Sequence, residues 1–567
     1  MKKSMSFSIL IFTILCRCAS EQDNVDMYSL AKQHQDDLRF AVYITAHSVD
    51  YLLSSLTGRR EALSLLRCNG ITKVYLEVYR SGLVVPPQRL KDVRDFFKDH
   101  DIEVVGGIAT VPGEDFGVRQ QGELGWFNWE NKKTQTDITK VMHDVAPIFD
   151  TFIVDDFLCT ADTSLESKAA KGEQSWSLYR RDLFTTLYSE LFINPAKELN
   201  PDITIIIKYP QWYDRFHLFG YDVKTGPQLF DRVWVGTETR GQYTQRYGYV
   251  QPYEGFVNYR WLASLSGDKI GGAWFDHGDC DESDFIEQAY QSVLAGAGEI
   301  VLFEYNSFVN CHIGHHLLRQ EFENLTKLAR AVAKNPVKGI PAYKPPHSDA
   351  GGDLYIMDFI GMLGVPIVPV PSYPAEADVL FLPTQAAADP DIWSHVQHSL
   401  QHNATIILTA GFLANAPDSR RFCKLCGVDW PVHSAPMQAE RIRVGPNMFS
   451  LDRSLDLEAS LTLTDAESIL PAEVGVLNIP FLTRKGPLFV LNTHTFSQAD
   501  FNAVDEVLLC PKPLGLLEIP HVWADSLRSV FNSSLDFEMS APTRVTVQPL
   551  DDSGWMIHNY NRIPVEL

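Results

Sequence analysis

Six carboxylates occupy one kind of position in this 567-residue chain. Glu77, Asp155, Asp156, Glu238, Asp276 and Glu304 each sit at the downstream end of a short run rich in β-branched and aromatic residues. The runs close as Tyr75-Leu-Glu-Val-Tyr-Arg80, Ile153-Val-Asp-Asp-Phe157, Val235-Gly-Thr-Glu-Thr-Arg240, Ala273-Trp-Phe-Asp-His277 and Leu302-Phe-Glu-Tyr-Asn306. One acid in such a place is ordinarily a hydrogen-bond acceptor. A whole set is costly to bury unless each acid has a partner or a task. Lys208 and Arg240 are the candidate counter-charges. Two facing carboxyls suit cleavage of an acetal: one protonates the leaving oxygen, and the other attacks the anomeric carbon or activates water. Aromatic rings that stack on sugar faces would complete the site. The candidates are Trp126, Phe127 and Trp129 after the third run, Trp212 and Tyr213 after the fifth, Tyr243 after the sixth, and Trp274 within the seventh.

Other chemistries find little support. No Gly-x-Ser-x-Gly elbow, phosphate loop or Gly-x-Gly-x-x-Gly turn follows a strand. Cys311-His-Ile-Gly-His-His316 gathers three histidines but reads as the opening of a surface helix, so no metal is expected. A metal-dependent deacetylase or lyase would want clustered strand-end histidines, and His47 and His277 stand apart. Cys423-Lys-Leu-Cys426 lacks a second ligand pair at zinc spacing and reads as a local disulfide or two packed thiols. No cofactor is expected. The formal charge of −22, with no basic block, argues against nucleic acid and anionic membrane surfaces as partners. An oligosaccharide or polysaccharide is the expected substrate.

The elements that must position these residues follow from the runs themselves. Phe40–Thr45, Lys73–Tyr79, Glu103–Ala109, Thr151–Phe157, Thr204–Pro210, Arg232–Thr237, Ile270–Asp276 and Glu299–Tyr305 are continuously apolar, as buried parallel strands are. Amphipathic stretches such as Gln88–His100, Thr136–Phe149, Ser175–Phe192 and Glu282–Leu294 lie between them. Eight β-then-α units predict a (β/α)8 TIM barrel over residues 37–335, with its reacting groups at the carboxyl ends of the strands. Residues 336–352 are rich in Pro and Gly and read as a linker. Residues 353–535 read as a small open α/β domain, flavodoxin- or glutamine-amidotransferase-like, with added strands, and 536–567 as a terminal β-hairpin segment. Residues 1–20 have a basic start, Lys2 and Lys3, and an apolar stretch from Phe7 to Leu15. They predict a signal peptide and export to the periplasm, cell surface or medium. Cys18 is a candidate for lipid attachment, although Arg17 stands where a bacterial lipobox wants a small residue.

Val154-Asp-Asp-Phe-Leu-Cys-Thr160, Lys208-Tyr-Pro-Gln-Trp-Tyr213, Gly236-Thr-Glu-Thr-Arg240 and Gly271-Gly-Ala-Trp-Phe-Asp276 together resemble an uncharacterised family of bacterial TIM-barrel glycoside hydrolases. The order of barrel, α/β domain and small β piece also resembles family 42 β-galactosidases, whose α/β domain is a trimerisation domain. That resemblance implies a homo-oligomer. Those enzymes use glutamates after strands 4 and 7, where this chain has aspartates, so their activity does not transfer. An aspartate after strand 4 with a carboxyl after strand 6 resembles α-galactosidases and other retaining α-glycosidases. Carried over, Asp156 or Asp155 attacks, Asp156 being nearer the rim, and Glu238 is the acid/base. Lys208 and Arg240 orient substrate or keep the nucleophile ionised, while Glu77, Asp276 and Glu304 bind hydroxyls. With Asp276 as nucleophile, the family 42 arrangement would apply and Asp156 would become the acid/base. The expectation is an exported, retaining glycoside hydrolase. The alternative is a non-catalytic surface glycan-binding protein on a degenerate glycosidase barrel.

Overall fold

The computed structural model describes residues 26–567 apart from Glu123, Asp156, 335–337, 430–435, His494, 505–508 and 551–553. The expected signal peptide with Cys18, and the candidate nucleophile Asp156, lie outside the described residues.

Eight strands form at the eight apolar runs: β1 Arg39–Ile44, β2 Ile71–Arg80, β3 Glu103–Ile108, β4 Thr151–Val154, β5 Thr204–Tyr209, β6 Arg232–Gly236, β7 Ile270–Asp276 and β8 Glu299–Phe303. Each pairs in parallel with the next, and β1 pairs with both β2 and β8, which closes the barrel. The interior is filled by alternate residues, among them Tyr43, Tyr75, Ile153, Ile206, Trp234 and Trp274. Such large rings fit only because their neighbours lack side chains. A Cβ on Gly107 of β3 would stand 2.9 Å from the Tyr43 ring, and one on Gly272 of β7 would stand 2.3 Å from the Trp234 indole nitrogen. The outward strand residues pack on the surrounding helices in one large apolar cluster.

The second sheet holds β9 Ile340–Tyr343, β10 Ile367–Val370, β11 Val379–Leu382, β12 Thr405–Thr409, β13 Met437–Val444, β14 Asn447–Leu457, β15 Glu467–Val474, β16 Leu477–Lys485 and β17 Leu488–Leu491. Its order is β10-β9-β11-β12-β17-β16-β15-β13-β14, parallel as far as β17 and antiparallel beyond. The stretch read as a bare linker therefore contributes a strand, β9, inserted between β10 and β11. Its four residues include Pro341, and proline ordinarily argues against an inner strand, which is why the stretch reads as a connection. A hairpin of β18 Val545–Pro549 and β19 Trp555–Asn559 follows. It lies on the barrel: His558 Nδ1 is 3.0 Å from Glu287, and Gln242 Nε2 donates to the Tyr560 carbonyl at 3.1 Å.

Barrel and α/β domain meet along a buried polar seam. Asp214 accepts from the Tyr355 amide at 2.8 Å and from Gln385, and pairs with Lys344 at 3.0 Å. The Tyr253–Ser266 helix approaches the Ile356–Met362 helix so closely that a Cβ on Gly361 would stand 2.1 Å from the Tyr253 ring. Within this seam Glu254 is buried, and neither carboxyl oxygen has a hydrogen-bond partner among the described residues. Burial, reinforced by Asp358, pushes its carboxyl well above the usual range.

Candidate active site

Charges alternate along the carboxyl ends of β2, β4, β5 and β6. Glu77 on β2 is fully buried and accepts from the Tyr43 hydroxyl at 2.9 Å, the Ala46 amide at 2.7 Å and Arg80 Nε. Arg80 reaches onward to Asp155, 3.4 Å away. Burial opposes the charge on Arg80, but Glu77 and Asp155 outweigh it and raise its pKa further. Asp155, directly after β4, also lies 3.6 Å from the ammonium of Lys208 on β5. That ammonium is 2.7 Å from Glu238 and 4.4 Å from the centre of the Trp274 ring. Glu238 follows β6 by two residues, and its carboxylate folds back over the strand end. It can do so because residue 236 is glycine: a Cβ there would meet Glu238 Oε2 at 2.5 Å. Asn258 secures the same corner, donating to the carbonyls of Pro210 and Gly236 at 2.9 and 2.8 Å.

A second pair stands beside this arc. Arg240 grips Asp276 through two parallel bonds of 2.8 and 2.5 Å, and the Gly278 amide donates to the same carboxylate at 3.0 Å. Burial opposes the Arg240 charge, and Asp276 reverses the balance, so its pKa is raised. The helix after β7 holds both partners. Its residue Gln288 accepts from the Arg240 amide at 3.2 Å and donates to the Asp276 carbonyl at 2.9 Å. An Asp281/Asp284 capping box fixes where that helix begins. Glu304 is half-buried after β8, near Thr45 Oγ1 at 3.4 Å and Asn306 Nδ2 at 3.2 Å.

The aromatic candidates divide. Trp126 and Trp212 stack on each other with centroids 5.8 Å apart. Trp274 lies inside the barrel beneath Lys208, against Tyr43. Trp129 is a core residue rather than a sugar platform: its indole donates to the Cys159 carbonyl at 2.9 Å, and Phe127 and Phe184 cover its ring. Tyr213 likewise turns away from the mouth, donating to Asp358 of the second domain at 2.9 Å. Arg80 and Asn258 belong to the site's framework although neither was singled out from sequence. Arg80 was visible as a cation three residues past Glu77, but its bond to Asp155 depends on strand register.

Of the remaining motifs, His315 is buried with Nε2 2.7 Å from Ser307, and burial pushes its imidazole down to about 3. Among the described residues no group of three metal-binding side chains converges. Cys423 and Cys426 are buried free thiols packed in the Ser419–Cys426 helix, and burial pushes Cys426 up to about 12.

Residues 24–338 match the family described as "probable glycosyl hydrolase, catalytic domain". The chain belongs to this family. The chain continues, over residues 333–485, with a match to the second domain of the uncharacterized protein SSO3021. That relative, from Saccharolobus solfataricus, is 26% identical over 368 residues, which span 58% of this chain and 60% of its own. Less than two thirds of the relative is therefore covered. Among solved structures, a catalytic mutant of Gan42B, a GH42 β-galactosidase from G. stearothermophilus, aligns over 90% of both chains with a TM-score of 0.59 and 9% identity. A second structure of Gan42B gives a TM-score of 0.56 at 10% identity, also over 90% of both chains. At these identities the likeness is one of fold: the chain shares the barrel followed by a further domain.

Proposed function

We propose that this hydrolase cleaves glycosides with the aspartates that follow β4, Asp155 and Asp156, acting opposite Glu238 after β6. The observation that carries the reading is the shared ammonium of Lys208, which reaches carboxylates from two different strand ends. Cleavage through an oxocarbenium-like transition state needs one ionised and one protonated carboxyl at the same pH. A lysine between the two couples their states. When Glu238 carries the proton, the ammonium turns to the β4 side and compensates Asp155. Once Glu238 has given its proton to the leaving oxygen, the ammonium compensates the new carboxylate. In this reading Asp156 attacks, Asp155 is held by Arg80 and Lys208 as an orienting group, and the anomeric configuration is retained. Asp276, with both oxygens engaged, binds and braces, and Glu304 meets substrate hydroxyls.

The test is a panel of aryl glycosides, α- and β-galactosides included since Gan42B is a β-galactosidase, assayed with the full chain. Asp156→Asn and Glu238→Gln should each lower turnover by about 10²–10⁴-fold, and azide should partly restore the nucleophile variant. Near-normal turnover in both would refute the assignment. NMR of the first-formed sugar reads retention or inversion directly. We further read the hydrolase as exported, on the layout of residues 1–20, and as a homo-oligomer through its α/β domain. Cell fractionation with a Cys18→Ser variant and light scattering of the purified protein test these two points.

A further inference from the structure

The catalytic end is not the only opening of the barrel. The opposite, amino-terminal mouth holds an open basin of about 450 Å3 between the starts of the strands. Its charged lining comes from Arg39 of β1, Lys73 of β2, Arg232 of β6 and Glu299 of β8, with Trp234 of β6 beside them. In a chain of net charge −22, three cations converging on one basin are notable for what they lack. Lys73, only 5% exposed, is 3.0 Å from Glu299 and 3.2 Å from Glu103, and Arg39 also pairs with Glu103. Arg232 is exposed and has no carboxylate within ion-pairing distance among the described residues. Its guanidinium stands 5.8 Å from the centre of the Trp234 ring. Three cations thus face two carboxylates, and one positive charge remains over.

Both oxygens of Glu299 are taken, one by the Tyr75 hydroxyl at 2.5 Å and the other by Lys73. Trp234 is 4% exposed, and its indole N–H is buried with no acceptor among the described residues. The lip at Gly298 is open, with nothing within 4 Å of where a Cβ would stand.

We propose that this mouth binds the oxyanion group of a small organic acid or phosphate ester, at a site separate from the catalytic end. The excess positive charge at Arg232 calls for a negatively charged ligand. The volume exceeds a bare oxyanion and leaves room for an attached body of sugar size. Arg232 and Glu238 stand at opposite ends of β6, so occupation here leaves the reacting carboxyls untouched.

Calorimetric titration of the full chain with inorganic phosphate, with glucuronate and with neutral glucose tests the site. At least one anion should bind, glucose should not, and the anion that binds tells a phosphate site from a carboxylate site. Arg232→Gln should weaken that binding about tenfold or more. Glycoside turnover should be unchanged in Arg232→Gln, an exposed position whose replacement leaves the fold intact. The proposal is overturned if neither anion binds at about 20 mM, or if Arg232→Gln binds as the parent does.

Discussion

Glu238 and Asp155, from strands two apart in the barrel, share one buried ammonium: Lys208 Nζ lies 2.7 Å from the first and 3.6 Å from the second. Lys208 is itself only 2% exposed, so solvent cannot take its place. Lys208→Met should therefore leave carboxylates uncompensated in the barrel. Breaking a buried pair in this way costs about 3–5 kcal/mol, which chemical denaturation would read, and turnover should fall with it. A variant as stable and as active as the parent would show that the lysine does not hold the two acids.

Asp276 presents the contrasting case. Arg240 and the Gly278 amide occupy its oxygens, and Gln288 fixes both partners from the helix behind. Asp276→Asn should lower kcat by less than about tenfold, against about 10²–10⁴-fold for Glu238→Gln. Steady-state kinetics on one substrate decides the matter. Equal losses would move the catalytic role to Asp276.

Stability should carry a signature of Asp353, which is fully buried and accepts from the Thr384 amide and hydroxyl and from Thr409. Burial pushes its carboxyl up to about 7 in spite of those bonds. In the unfolded chain the same group titrates near 3.9. Between about pH 4 and 7 the folded protein holds a proton that the unfolded chain has released, so this group's contribution to stability falls as pH rises through that window. It is level below and above. Asn cannot ionise, so the melting temperature of Asp353→Asn relative to the parent should rise from pH 4 to pH 8. A pH-independent difference would rule this out.

The close approach of the two domains gives a fourth test. At Gly361 any added methyl meets the Tyr253 ring or backs into it. Gly361→Ala should cost about 1–3 kcal/mol as overpacking, and scanning calorimetry should show the α/β domain and barrel melting less cooperatively. An unchanged thermogram would mean that the seam yields without strain.

The barrel was legible in the chain because each parallel strand is a continuous apolar run ending at a polar or glycine-rich turn, and eight such runs have few other solutions. The carboxylates at those ends were legible for the same reason. Two of their partners, Lys208 and Arg240, were legible as counter-charges, but the rest of the surroundings was not. That Trp126 and Trp129 are both buried in the core is decided by a loop path that residue spacing cannot express. Tyr213 turns toward Asp358, 145 positions away, and no local pattern signals so distant an acceptor. Arg80 could be seen but not assigned, since its bond to Asp155 joins β2 to β4 across the barrel mouth. β9 was hidden by Pro341, a residue that locally argues for the opposite structure.

The hairpin of β18 and β19 also sets an order of events during synthesis. Tyr560 receives Gln242 from a barrel loop 318 positions earlier, and His558 meets Glu287 from a helix 271 positions earlier. A ribosome will have made every strand of the barrel long before these bonding partners emerge. The barrel must wait, with that flank uncovered, while the whole α/β domain is translated. Any interval in which the half-made chain is exposed to proteases or chaperones therefore falls on this flank, and its length is set by the speed of translation.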